Sequence, residues 1–161
     1  MWLELPIWAI ALLNALGIPA VQMGVSWLFT RMPAEWFDPE RFPFAGWLGE
    51  SARTYDRWFG VKRWKGMLPD AAPWFGGFAK KRLRATDQEF LEVFRRETCR
   101  SEAAHWVQLI LVTGFVAWTP IPWAWIIVAW AVISNGPCLV LQRQNRRRLE
   151  GVLARGAKAP R

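Results

Sequence analysis

The sequence predicts an all-α integral membrane protein with three transmembrane helices, one N-terminal span plus a C-terminal helical hairpin, and a membrane-associated amphipathic cytoplasmic segment between them. Three observations predict it. Two long blocks carry no charge, the basic residues stand beside those blocks, and the 13 tryptophans gather near the block ends and in the segment between. A chain of 161 residues has room for a single domain. It divides into a span at 7–29, a cytoplasmic interfacial segment at 30–102, a hairpin at 103–141 and a basic cytoplasmic tail at 142–161. The hydrophobic content of 53% is only slightly above the globular average, so the class rests on how the apolar residues bunch.

The first block, residues 7–29, is free of charge. As a helix it reaches about 34 Å, against a hydrocarbon core of about 30 Å. Asn14, Pro19 and Gln22 interrupt it. Such residues are tolerated where neighbouring helices supply partners, so the span is expected in a bundle rather than alone in lipid. A cleaved signal peptide is the competing reading, and the lack of a basic start and the length of the block count against it. The second block, residues 103–141, holds no Asp, Glu, Lys or Arg, and Thr119-Pro120-Ile121-Pro122 divides it into two arms. Prolines at that spacing favour a turn. The arm at 123–141 would span about 28 Å and the arm starting at Ala103 about 24 Å. The shorter arm is expected to continue outward as an amphipathic helix carrying Phe90, Leu91 and Phe94.

Charge sets the orientation. Of 21 Lys and Arg, 14 lie from Arg31 to Arg100 and seven from Arg143 onward, with none before Arg31 and none in the hairpin tip. Positive charge marks the cytoplasmic side, so the chain is expected in the cell membrane as a multi-pass protein, N-terminus outside and C-terminus cytoplasmic. Trp2, Trp8, Trp118, Trp123 and Trp125 then fall near the outer face, and Trp27 and Trp106 near the inner one, as an aromatic belt. Trp36, Trp47, Trp58, Trp64 and Trp74 interleave with basic residues in the linker, which is expected to lie on the membrane. A net charge of +8 also suits a nucleic-acid binder, but here the charge flanks apolar spans and no recognition motif occurs, so no nucleic acid is expected.

The linker at 31–81 is rich in Pro, Gly and aromatic residues, with short helical possibilities at 49–59 and no strand periodicity. It contains no repeat, Walker loop or dinucleotide fingerprint. One histidine and two cysteines are too few for a structural zinc site, so no metal is expected. Cys99 and Cys138 both fall in the cytoplasmic half, where a disulfide does not normally persist.

The single histidine, His105, stands where a charged helix runs into an apolar one. Histidine titrates near neutral pH without help, which makes it a candidate for proton transfer. Arms of equal rise that turn near residues 120–121 put His105 level with Gly136, Glu102 with Leu139 and Glu97 with Gln144, within about one turn. The polar runs Ser134-Asn135-Gly136-Pro137-Cys138 and Gln142-Arg143-Gln144-Asn145-Arg146 therefore flank the histidine helix at its cytoplasmic end. Glu102 lies three residues before His105, a spacing at which a carboxylate can orient an imidazole and raise its basicity, though surface pairs without chemistry share that spacing. Glu97 and Arg100 read as an ordinary ion pair. Asn135 sits inside an apolar arm and needs a partner, either a ligand or another helix. Pro137 predicts a kink beside it. Arg143, Arg146, Arg147 and Arg148 suit a topology anchor on anionic lipid, and the first two also suit a phosphate or pantetheine chain.

Taken in order, Glu97-Thr98-x-Arg100-x-Glu102-x-x-His105-Trp106, then Asn135-x-Pro137 and Gln142-Arg143-x-Asn145-Arg146-x-Arg148-Leu149, resemble the glycosyl-4,4'-diaponeurosporenoate acyltransferases, small membrane proteins of carotenoid biosynthesis. Upstream, Arg31-x-Pro33, Val61-Lys62-Arg63-Trp64-Lys65 and Leu68-Pro69-Asp70 fit the same pattern, so the resemblance covers residues 31–149. It implies transfer of a fatty acyl group to a sugar hydroxyl of a glycosylated carotenoid, giving a xanthophyll ester. The expected partners are a lipid-like acceptor and an acyl donor, either a coenzyme A thioester or an acyl carrier protein, with no bound cofactor. Gln144 stands where the pattern has an aromatic residue and Arg147 where it has proline, departures that bear on the acceptor more than on the fold.

Acyl transfer needs a base for the hydroxyl proton and donors for the tetrahedral oxyanion. His105 is the expected base, oriented by Glu102, with Asn135 or Arg100 as oxyanion donor and Asp70 as a second candidate base. Lys65, Arg143 and Arg146 are expected to contact the acyl donor, and Trp64, Glu97, Trp106, Gln142 and Asn145 complete the substrate-binding set. Two other readings use the same residues: an acyltransferase acting on a phospholipid or another glycolipid, and a non-enzymatic membrane scaffold or subunit whose charges only set topology.

Overall fold

A computed structural model describes residues 5–68 and 88–156 of the chain. Asp70, Trp74 and most of the Leu68-Pro69-Asp70 motif lie outside the described residues. The rest is all-helical, with no strand among the described residues. Helix α1 is Ile7–Arg31, α2 is Ala52–Phe59, α3 is Val61–Trp64, α4 is Gln88–Thr113 and α5 is Trp123–Gly156, with single 3-10 turns at Ala34–Trp36, Lys65–Met67 and Gly114–Ala117.

α4 and α5 form the antiparallel hairpin that the prolines predict. No proline or glycine occurs between Gln88 and Thr113, so α4 runs unbroken from its charged start into its apolar end. The backbone tightens at Gly114–Ala117 and turns through Thr119-Pro120-Ile121-Pro122. The amides of Ala124 and Trp125 donate to the carbonyls of Pro120 and Pro122, at 3.0 and 3.1 Å, and start α5.

α5 runs further than the arm expected at 123–141. Pro137 lies inside it without ending it, and the region expected as a basic tail from residue 142 continues as helix to Gly156. The reason is an apolar stripe: Leu149, Val152 and Leu153 recur at helical spacing and pack on Phe90, Leu91 and Phe94 of α4. A second apolar cluster, Ile18, Val112, Phe115, Ile127 and Ala131, fills the other end of the hairpin where α1 joins it.

α1 meets the hairpin along the ridge Ile10, Asn14, Ile18, Gln22 and Ser26, residues four apart that share one helical face. Its polar residues find the partners a bundle must supply. The Asn14 amide nitrogen donates to Thr119 Oγ1 at 3.1 Å, and its oxygen accepts from Trp118 Nε1 at 3.0 Å. Gln22 Nε2 donates to Ser134 Oγ at 3.2 Å, and Gln108 of α4 donates to the Gln22 carbonyl and to Ser26 Oγ, both at 2.9 Å. Gly17 allows the close approach, since a Cβ there would lie 2.7 Å from the Phe115 ring.

Two of the described helices, α1 and α5, are long and apolar enough to cross a membrane. Only 11% and 22% of their apolar windows are buried, whereas a soluble core helix would be mostly buried. Trp8, Leu12 and Leu16 on α1, Ile110 on α4 and Trp125, Ile126 and Ile133 on α5 face outward. Exposed apolar surface on this scale suggests membrane association.

The linker docks on the charged end of α5. Ser51 caps α2, its hydroxyl accepting from the Thr54 amide at 3.3 Å, and Gly60, at φ +60, closes α2 and opens α3 in a conformation that side chains disfavour. Arg147 binds the Phe44 carbonyl at 2.6 Å, Glu50 at 3.3 Å and Glu150 at 2.6 Å. Gly46 makes room for it, because a Cβ at that position would stand 2.7 Å from the Arg147 guanidinium. Arg95 of α4 adds a second tie, to Glu40 at 2.5 Å and Glu92 at 3.0 Å.

Candidate active site

Between the two apolar clusters the hairpin carries a polar layer, buried except at the half-buried His105 and Arg143. α4 supplies Glu97, Thr98, Cys99, Glu102 and His105, and α5 supplies Asn135, Gln142, Arg143 and Arg146. Antiparallel helices of equal rise put these runs at one depth, and the count from the turn comes out within one residue for the central pair. His105 Nδ1 lies 3.1 Å from Asn135 Oδ1. The Asn135 amide nitrogen donates to the Ala131 carbonyl at 3.0 Å and to Ser134 Oγ at 3.1 Å, which turns its oxygen toward the ring.

Glu102 is fully enclosed and holds two guanidinium groups. Arg143 Nε donates to Oε1 at 2.7 Å, Arg146 Nη2 donates to Oε2, and Trp106 Nε1 reaches Oε1 at 3.4 Å. Two cations on one carboxylate offset the cost of taking all three charges out of water. Arg146 is itself fully buried, with Nη1 directed at Cys99 Sγ at 3.3 Å and Thr98 Oγ1 at 3.5 Å, and its guanidinium carbon 5.7 Å from the centre of the Phe44 ring. Arg143 keeps 19% of its side chain exposed, binds the Pro43 carbonyl at 2.9 Å and lies over Trp47 at 5.5 Å. Burial pushes the Cys99 thiol up, even with Arg146 beside it.

The other residues singled out by sequence are dispersed. Arg100 pairs with Glu97 at 2.7 Å and donates to the Met32 and Thr30 carbonyls at 2.8 and 3.3 Å, tying the C-terminal end of α1 to α4. Gln142 is buried, with Oε1 lacking a hydrogen bond among the described residues. Asn145 is half-buried on α5. Trp64 ends α3, its Nε1 donating to the Phe59 carbonyl at 2.8 Å, and Lys65 follows it. Gln144, level with Glu97 by the hairpin count, donates instead to Asp56 of α2 at 2.7 Å.

Phe44, Trp47, Glu50 and Tyr55 join this neighbourhood without having been singled out as site residues. Glu50 accepts from Tyr55 and pairs with Arg147, so the linker brings a second carboxylate with an enclosed side chain onto α5. The only signal was aromatic density in a linker, which equally fits membrane anchoring.

Residues 33–155 match the sequence profile of the family described as glycosyl-4,4'-diaponeurosporenoate acyltransferase. The chain belongs to that family. Proteins of the same name from Staphylococcus aureus strains bovine RF122 / ET3-1 and MRSA252 are each 28% identical over 135 residues, 83% of this chain and 81% of theirs. The homologue from strain N315 is 27% identical over the same extent. No solved structure matches the chain. The matched span takes in the whole polar layer, from Glu97 through Arg146, and leaves α1 outside it. The acyltransferase thus carries its charged machinery within the family region.

Proposed function

We propose that the protein transfers a fatty acyl group to a sugar hydroxyl of a glycosylated carotenoid at the cytoplasmic face of the cell membrane. The observation that carries this reading is a histidine held by a buried asparagine in a polar layer at the edge of exposed apolar helices, in a chain of this acyltransferase family. An amphiphile fits such a site with its sugar at the layer and its polyene along the apolar surface. We read the apolar end of α4 and the 3-10 turn after it as a third span beside α1 and α5, with the N-terminus outside and the basic regions inside.

In the proposed reaction His105 Nε2 takes the proton of the sugar hydroxyl while the oxygen attacks the carbonyl carbon of the acyl thioester. The tetrahedral oxyanion collapses, the thiolate leaves, and the imidazolium returns the proton to it. The donor is a coenzyme A thioester or an acyl carrier protein, and no bound cofactor is needed. Both amide donors of Asn135 serve the α5 backbone and Ser134, so we assign the oxyanion to Arg143, the guanidinium of the layer with access to a ligand. Glu102 and the enclosed Arg146 hold Arg143 in place. Arg100 anchors α1.

Comparison of lipid extracts by mass spectrometry, from cells with the protein, without it and with His105→Ala, tests the proposal. Acylated carotenoid glycoside is expected only with the unaltered chain. A different acylated lipid would replace the acceptor, and wild-type product from a correctly inserted His105→Ala chain would remove His105 as base.

A further inference from the structure

We propose that Asn135 is a positioning residue that fixes His105 in the Nδ1–H tautomer, and that α1 takes part through Gln22 and Ser134. This rests on the reading of His105 as the base. The hydrogen-bond inventory carries the argument. A side-chain amide has two N–H donors and one oxygen that can only accept. The Asn135 nitrogen donates to the Ala131 carbonyl at 3.0 Å and to Ser134 Oγ at 3.1 Å, so the atom 3.1 Å from His105 Nδ1 is the oxygen. Nδ1 must then supply the proton, which leaves the ring's lone pair on Nε2. This is the reverse of the tautomer a solvated imidazole side chain favours.

The lock is braced from α1. Ser134 Oγ donates to the Trp130 carbonyl at 2.7 Å and accepts from Asn135 Nδ2 and, at 3.2 Å, from Gln22 Nε2, which occupies one donor and two acceptor positions of a hydroxyl. The backbone at Gln22 is tied to α4 in turn, because Gln108 donates to its main-chain carbonyl at 2.9 Å. Asn135 is 1% exposed, so water does not substitute for a lost partner. A helix outside the matched family region therefore sets the ring orientation.

The single histidine makes the test free of assignment. The full chain, labelled with nitrogen-15 histidine and placed in lipid bilayers, is examined by solid-state NMR at a pH where the ring is neutral. The expected spectrum has a protonated Nδ1 and an unprotonated Nε2. Asn135→Leu should return the ring to the Nε2–H form and lower kcat about 10²–10⁴-fold with KM nearly unchanged. Gln22→Leu, which leaves Asn135 in place, should give a mixture of tautomers. An Nε2–H ring in the unaltered protein, or an unchanged tautomer in Asn135→Leu, overturns the inference. If Asn135→Leu does not fold, the unaltered spectrum and Gln22→Leu decide. The two readings fail separately: an active His105→Ala chain removes the base, whereas an inactive one with an Nε2–H wild-type ring removes only the lock.

Discussion

Glu102 binds two arginines inside the protein, and the consequences of losing either partner differ. Arg146→Met leaves a carboxylate enclosed with one guanidinium and should cost about 3–5 kcal/mol of stability, read by thermal unfolding in detergent. Adding Glu102→Leu should recover part of that loss, since no unpaired carboxylate remains. A single variant as stable as the parent would mean that the pair is solvated. Tyr55 offers a second test at this scale, because it is the only tyrosine in the chain. Burial, and then the hydrogen bond it donates to Glu50, push the phenol up. The folded chain holds that proton more tightly than the unfolded chain does. The group therefore adds stability below about pH 10, which is lost as pH rises toward the folded-state value. Tyrosinate absorbance should appear only well above the ordinary phenol range, and earlier in Glu50→Gln. A titration at the ordinary value in the unaltered chain would mean that Tyr55 is open to solvent.

Helix contacts were legible to the extent that local chemistry dictated them. The double proline in Thr119-Pro120-Ile121-Pro122 announces the hairpin, and equal helical rise then sets His105 beside Asn135. Glu102 was harder to place. Its spacing pointed to His105, but long arginine side chains one and two turns further along α5 reach back to its carboxylate, and their reach is a tertiary property. The same is true of residues 142–156: charge density suggested a tail, while the stripe Leu149, Val152 and Leu153 keeps them helical against α4. The α1 contact was foreshadowed by Asn14 and Gln22, whose amides need partners in an apolar span, although nothing local named those partners. It depends on close packing at Gly17. Gly17→Ala should strain the Phe115 ring, itself packed on Trp118 with centroids 4.8 Å apart, and cost about 1–3 kcal/mol in thermal unfolding. Gly24→Ala, where a Cβ meets nothing within 4 Å, is the matched control and should be near neutral.

At the scale of the molecule, apolar packing at both ends of the hairpin encloses a charged middle, with a linker folded against one side. The linker was the least legible part, because its short helices and tight turns take their shape from the surface of α5 more than from any periodicity of their own. The proposed orientation has a direct test. In inside-out vesicles added protease should cut the linker and the C-terminal residues, and in right-side-out vesicles it should spare both. The opposite pattern would invert the topology. The contact between Gly46 and Arg147 also couples two positions far apart in the sequence. Glycine at 46 leaves room for a guanidinium 101 residues further along the chain, and no backbone torsion of its own calls for it. A side chain at 46 must therefore displace that guanidinium from the Phe44 carbonyl and Glu50, so a change at one position alters what the other tolerates.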